Sequence, residues 1–171
     1  MSEPKIFYYE TEIEWTKEKE GQICGPSLPA VTVGPPPEFK GREGTWSPEH
    51  LFVASLNTCF MLTFLAIAEN SKVALFSFSS TAKGRLEKVP GSNYQITEIV
   101  VKPRVVISSV EDLGRIGRVV EKAKENSFIS NSIKGTVKLE PQIYHRQIPT
   151  SPCPLGEAAE SRSRSLNSEK Y

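Results

Sequence analysis

The sequence predicts a single α+β domain, and three observations carry that reading. An uncharged run, Leu51 to Ala68, opens behind a strong helix-start signal. A second segment, from Ser109, repeats apolar residues at helical spacing, and the stretches between these two alternate apolar with polar residues as half-buried strands do. In chain order the elements are β-β-α-β-β-α-β, with largely antiparallel strands. The 171 residues suffice for one core. The domain is expected over residues 1–145, followed by a polar tail at 146–171.

The first strand places Phe7, Tyr9, Thr11, Ile13 and Trp15 on one face and Glu10, Glu12 and Glu14 on the other. "KEKEG", Lys17 to Gly21, is a turn, and Gln22 to Val33 carries the second strand. Three consecutive prolines and two later glycines make "GPPPEFKGREG", Gly34 to Gly44, a loop. Ser47-Pro48-Glu49 then starts a helix. Serine caps it, proline at the first position gives up no needed hydrogen bond, and glutamate suits the positive end of the dipole. This helix runs to about Asn70.

Next, Phe76, Phe78, Ser80, Ala82 and Leu86 share one face of a strand, and Pro90-Gly91-Ser92-Asn93 turns the chain. Ile99, Val101, Pro103, Val105 and Ile107 alternate with charged residues, completing a hairpin. Ser109, with Glu111 and Asp112, opens the second helix, whose apolar face is Leu113, Ile116, Val120 and Ala123; the same spacing next reaches Ser127. A last strand has Val137, Leu139 and Ile143 inward. From Arg146 the composition is Ser, Pro and charge, which reads as a flexible tail.

Composition removes several function classes. With 21 Lys+Arg against 20 Asp+Glu and the basic residues scattered, nothing points to a nucleic-acid partner. The uncharged run is at the short end for a membrane span, and Ser55, Asn57, Thr58 and Thr63 interrupt it, so it reads as a buried helix with no membrane partner. Three cysteines, Cys24, Cys59 and Cys153, make no disulfide framework, and the N-terminus lacks a secretory pattern, so a cytoplasmic location is expected. His50 and His145 stand far apart with no carboxylate cluster at ligand spacing, so neither a metal nor a cofactor is expected.

Cys59, three turns into the first helix, has two readings. Free cysteine packs as a small core residue; alternatively it is a nucleophile, which requires a neighbour that favours the thiolate. Glu49 also has a plain explanation in the helix dipole. Ten residues of helix rise about 15 Å, so Glu49 cannot touch Cys59 of its own helix. If both belong to one site, a second subunit supplies one of them, most simply across a two-fold axis. A helix apolar all round, in a domain with only two, also needs such a partner. A homodimer is the economical expectation.

"FKGREGTWSPEHLFVASLNTCF", Phe39 to Phe60, resembles the signature of the OsmC-like family, which includes the organic hydroperoxide resistance proteins. The resemblance continues through "VEKAKENSFISNSIKGTVKLEPQI", Val120 to Ile143, and covers roughly residues 5 to 144. It implies an OsmC-like fold in which antiparallel sheets wrap long central helices of an intertwined homodimer. It also implies thiol peroxidase chemistry in oxidative stress defence. Cys59 matches the cysteine that attacks peroxide, and Glu49 matches the glutamate that positions an activating arginine.

Ser127 occupies the place of the family's second cysteine. At the two places where the family carries its arginine stand Lys19 and Glu38, and Arg42, Lys17 or Lys19 are the basic candidates. One reading is a one-cysteine reduction of organic hydroperoxides, with an external thiol, Cys24 or the tail's Cys153 resolving the sulfenic acid. The apolar residues around Cys59 (Phe60, Met61, Leu62, Phe64) favour bulky organic substrates. A second reading is a non-catalytic protein binding a small apolar ligand at the dimer interface, with Pro35 to Phe39 and Phe60 as walls. A third is an interaction module acting through the tail.

Overall fold

The structure, a computed structural model, describes residues 4–146. The expected tail and Cys153 lie outside the described residues. Three short strands come first: β1 (Glu12–Lys17), β2 (Glu20–Gly25) and β3 (Leu28–Val33) form an antiparallel sheet in that order. The stretch expected to be one strand, Gln22 to Val33, is therefore two. It folds at Pro26-Ser27, where Ser27 takes a left-handed φ of 62° that allows the two-residue connection. The first strand also begins later than its alternation suggests. Phe7 and Tyr9 precede β1 and are exposed, as are Ile13 and Trp15 within it, so this apolar face has no cover among the described residues.

The loop after β3 closes on itself. Gly34 N–H donates to Trp46 O at 2.9 Å, and a 3-10 turn spans Pro37–Phe39. Gly41 is packed so tightly that a Cβ there would lie 1.6 Å from Pro35 O, which no side chain can satisfy. This closure delivers the chain to α1 (Pro48–Asn70), whose limits match the expected ones. The Ser47 hydroxyl accepts from His50 N–H at 3.3 Å and meets His50 Nδ1 at 2.8 Å.

One stripe of α1, Leu56, Phe60, Phe64 and Ala68, is buried, while Phe52, Leu62 and Leu65 remain exposed. By length and composition α1 could cross a membrane, but its buried stripe is packed into the protein core. The covering element is a sheet. β4 (Leu75–Lys88) and β5 (Tyr94–Ile107) form the long hairpin, and Ile99, Val101, Pro103, Val105 and Ile107 all face inward as expected. Ser80 Oγ donates to Asn57 Oδ1 at 2.7 Å, linking β4 to α1. Gly84 lets the strand pass over the helix, since a Cβ there would lie 2.6 Å from Val53 Cγ2. Phe76, expected inward, is half exposed because the register shifts between Leu75 and Ser77. The bulge turns its ring outward, beneath the Arg146 guanidinium at 4.2 Å.

A 3-10 turn at Val110–Asp112 leads into α2 (Leu113–Asn126). Its buried face is Ile116, Val119, Val120 and Ala123; Leu113, at the entry, is half exposed. Asp112 clamps the start of α2 to the end of α1. Its Oδ2 accepts from Ala74 N–H at 3.0 Å, its other oxygen pairs with Arg115, and Arg115 in turn donates to Ser71 O at 3.2 Å. The Ala74 hydrogen bond, then Arg115, hold the Asp112 carboxyl below its ordinary range.

The short helix α3 (Phe128–Ser132) follows, then β6 (Thr136–Leu139) and β7 (Gln142–His145). Both strands pair with β5 in parallel, where a largely antiparallel arrangement with one closing strand was expected. The helices between β5 and β6 form a crossover that returns the chain to β5 in the same direction. Glu140-Pro141 interrupts the pairing because proline has no N–H for the ladder. The sheets are thus one antiparallel and one mixed, within the α+β class expected.

Candidate active site

Cys59 and Ser127 meet. The Ser127 hydroxyl, fully buried, donates to Cys59 Sγ at 3.3 Å. Two elements set this contact. α1 holds Cys59, half-buried, beside its Leu56–Phe60 stripe, and α2 ends so that Ser127 caps α3, which packs on α1. The Ser127 oxygen accepts from Ser130 N–H at 3.4 Å. Accepting there leaves its one hydrogen available to donate to the sulfur.

The backbone of Ile129 and Phe128 and the hydroxyl of Thr63 also act to lower the thiol. Burial alone pushes the thiol up, and it is the largest single influence. The backbone donor of Ile129, then Ser127, Phe128 and Thr63, together outweigh it and bring Cys59 below the ordinary thiol value of 9.0. Neutral donors therefore do what a side-chain cation does elsewhere. The sequence carried no sign of the backbone donors, since an N–H has no residue signature; Thr63, one turn beyond Cys59, was legible from i+4 spacing.

The thiolate is the nucleophile, so the rate of Cys59 alkylation should climb with pH through a midpoint below the ordinary thiol value of 9.0 and then level off. As the pH falls through the lowered pKa, the sulfur protonates and the rate drops. Ser127→Ala removes one donor, so the plateau should move to higher pH and the neutral-pH rate should fall about tenfold. Iodoacetamide labelling of both proteins from pH 5 to 10 reads this directly.

Glu49 lies elsewhere, in the first turn of α1, and its Oε2 is buried without a hydrogen-bond partner. A cleft of about 780 Å3 brings Glu49 together with Lys19, Ile13, Trp15, Pro35 and Pro36. A neighbouring cleft of about 750 Å3 is bordered by Glu49, Glu38, Phe39 and Trp46. Arg42 binds Glu20 at 3.0 Å, and Glu20 lines the same cleft as Glu49 and Lys19.

The expected site residues thus form two groups within one chain: Cys59 with Ser127, and Glu49 with Lys19. Of the expected wall residues, Pro35, Pro36 and Phe39 do line a cleft, whereas Phe60 is core, stacked on Phe64 at 6.2 Å. Cys24 is a free, half-buried thiol in β2, opposite Glu12 of the N-terminal sheet. Among the described residues no three His, Cys, Asp or Glu side chains gather as metal ligands. His50 serves the helix cap, and His145 ends β7.

The fold has counterparts. A family model described as OsmC-like protein matches residues 41–142. The chain is 25% identical over 138 residues to the uncharacterized protein YmaD of Bacillus subtilis, covering 78% of this chain and 90% of that one. Among solved structures, an OsmC-like protein of unknown function from Vibrio cholerae superposes with a TM-score of 0.74 at 24% identity, over 80% of this chain and 99% of the other. An organic hydroperoxide resistance protein OsmC from Legionella pneumophila does so with a TM-score of 0.63 at 22% identity, over 82% and 99%. Both likenesses establish a shared fold.

Proposed function

The chain belongs to the OsmC-like protein family, and on that scaffold we propose that it reduces organic hydroperoxides through a single reactive cysteine, Cys59. The observation that carries the reading is the buried Ser127 hydroxyl donating to the Cys59 sulfur at 3.3 Å, at a thiol held below its ordinary range. Such a donor favours the thiolate, the form that attacks the peroxide.

The Cys59 thiolate attacks the outer oxygen of ROOH. The O–O bond breaks, the alkoxide leaves and takes a proton as ROH, and Cys59 becomes a sulfenic acid. An external thiol then attacks the sulfur, releasing water and leaving a mixed disulfide. A second thiol attacks the outer sulfur of that bridge, frees Cys59, and departs as the oxidised reductant. The hydroxyl of Ser127 cannot perform the resolving step, so this reading assigns it to an external thiol. A reducing cytoplasm supplies such thiols.

The working unit in this reading is a homodimer. The exposed apolar residues Ile13 and Trp15 of β1 and Phe52, Leu62 and Leu65 of α1 are the surfaces a second copy covers. Glu49 sits about 15 Å along α1 from Cys59, so a two-fold axis beside the helix brings Glu49 of the partner subunit to the thiol. The apolar cleft that Glu49 borders then receives the organic group of the substrate.

Brief treatment with cumene hydroperoxide and a dimedone trap should add one adduct at Cys59, read by intact-protein mass spectrometry, and none to Cys59→Ser. A wild-type sulfur that stays a thiol under these conditions rejects the reading. The place of Ser127 favours one alternative, a fold that keeps the cleft for an apolar ligand without turnover. In that case ligand-induced thermal stabilisation survives Cys59→Ser and no adduct forms on either protein.

A further inference from the structure

We infer that Phe128, the first residue of α3, selects the hydroperoxide: its exposed ring, one residue from the Ser127–Cys59 contact, receives the substrate's organic group and favours an aromatic body over a small alkyl one. The role rests on the peroxide reduction proposed for Cys59. The backbone fixes the place. Phe128 follows Ser127, whose hydroxyl lies 3.3 Å from Cys59 Sγ, and consecutive Cα atoms are about 3.8 Å apart. α3 packs on α1, the helix that carries Cys59, so two helices set the spot from which the ring projects. The Phe128 backbone also helps to lower the Cys59 thiol.

The side chain is left in water. Phe128 is 81% exposed, more than any other large apolar residue of α1, α2 or α3, although its successor Ile129 packs against the core. A single exposed apolar residue means little alone; this one stands at a thiol. Leu62, one turn beyond Cys59 on α1, is also exposed, so both elements that meet at the sulfur offer apolar surface there. Their chemistry sets the class of ligand. α3, Phe128–Ser132, carries no charge, and Thr63 and Ser127 are neutral, so these neighbours of Cys59 offer no partner to a charged substrate. An uncharged organic group gains by covering the ring. An aromatic one gains more, because two rings attract in edge or offset contact beyond the area they bury. In the proposed homodimer the partner's cleft meets that group from one side, and Phe128, on the chain that supplies the thiol, meets it from the other.

Cumene hydroperoxide and tert-butyl hydroperoxide differ by a phenyl in place of a methyl group, so the ratio of their rates isolates the ring. The full-length reduced protein is mixed with each, and with hydrogen peroxide, which has no organic group. Loss of the Cys59 thiol is timed by quenching with excess N-ethylmaleimide and peptide mass spectrometry. The wild type should oxidise faster with cumene hydroperoxide. Phe128→Ala should cut the cumene-to-tert-butyl ratio about fivefold and leave the hydrogen peroxide rate unchanged. Phe128→Leu, which keeps apolar bulk without a ring, should fall between.

A wild type that does not favour cumene hydroperoxide, or a ratio that Phe128→Ala does not move, overturns the inference. So does an equal fall with all three peroxides or slower iodoacetamide labelling of Cys59, since either makes Phe128 a support of the thiol rather than a contact of the substrate. A Phe128→Ala protein that turns monomeric by light scattering puts the ring in the interface and overturns it too. If Cys59 reacts with none of the three peroxides, peroxide reduction itself fails. Reaction with all three beside an unmoved ratio rejects the role of Phe128 alone.

Discussion

Ser127→Cys should turn the one-thiol site into a disulfide-forming one: after a single equivalent of organic hydroperoxide, the protein should lose two hydrogens in mass and become refractory to the dimedone trap. The distance argues for it. Ser127 Oγ already lies 3.3 Å from Cys59 Sγ, and a disulfide needs about 2.05 Å between sulfurs. The longer C–S bond closes part of that gap, and a small rotamer adjustment closes the rest. Chemically, the new thiol attacks the Cys59 sulfenic sulfur and expels water, so no second protein or small thiol is needed for the first half of the cycle.

The substitution also weakens the α3 cap, since sulfur accepts the Ser130 N–H poorly. That costs about 1 kcal/mol, small enough to leave the fold intact. Turnover with a dithiol reductant should rise, because intramolecular resolution replaces a bimolecular step. Non-reducing mass spectrometry after peroxide checks the outcome. A variant that still accumulates a trappable sulfenic acid would mean that the two side chains approach along a direction a disulfide cannot use. Ser127 would then be a hydrogen-bond donor and nothing more.

This pair of residues also shows what a sequence can disclose. Cys59 and Ser127 are separated by 68 positions. The helical spacing Leu113, Ile116, Val120, Ala123, Ser127 placed the serine on the inner face of its helix, and the family resemblance supplied the partner. Spacing alone reached only the face. Local signals fared best: Ser47-Pro48-Glu49 located α1 to the residue, because capping is decided within one turn of the chain.

Signals that depend on distant pairing were hidden. Nothing in Thr136–His145 says whether it lies parallel or antiparallel to β5; the crossover through α2 and α3 decides that. The bulge at Phe76 is likewise a property of two strands together. The Pro26-Ser27 connection separates β2 from β3 by only two residues and so leaves little trace in the sequence. The donors of Ile129 and Phe128 had no residue type to betray them. The orphaned oxygen of Glu49 became visible only when burial and hydrogen bonding were known atom by atom.

Two adjacent residues of α1 should give opposite results, and their contrast tests how the helix is used. Phe64 is fully buried and packs on Phe78 at 5.1 Å and on Phe60 at 6.2 Å. Phe64→Ala removes the middle of that aromatic stack and leaves a cavity in a close-packed layer. It should destabilise the protein by about 3–5 kcal/mol, read as a lowered denaturant midpoint with the m-value unchanged. Leu65 is turned about 100° around the helix from Phe64 and is 37% exposed in the single chain. A charge there meets water if the chain is alone, and Leu65→Glu should then change stability by no more than about 0.5 kcal/mol.

If a second copy covers this face, the same substitution buries two uncompensated carboxylates across a two-fold axis, one from each chain. It should then convert a dimer to a monomer by light scattering. It should also slow peroxide reduction, because Glu49 of the partner subunit no longer reaches Cys59. A Leu65→Glu protein that remains dimeric and fully active would place the interface elsewhere, with the β1 face around Ile13 and Trp15 as the surface left to account for it. Because Phe64→Ala acts through the core of each chain, its effect stands whichever way the second result falls. The two substitutions therefore separate what the helix contributes to the fold from what it contributes to assembly.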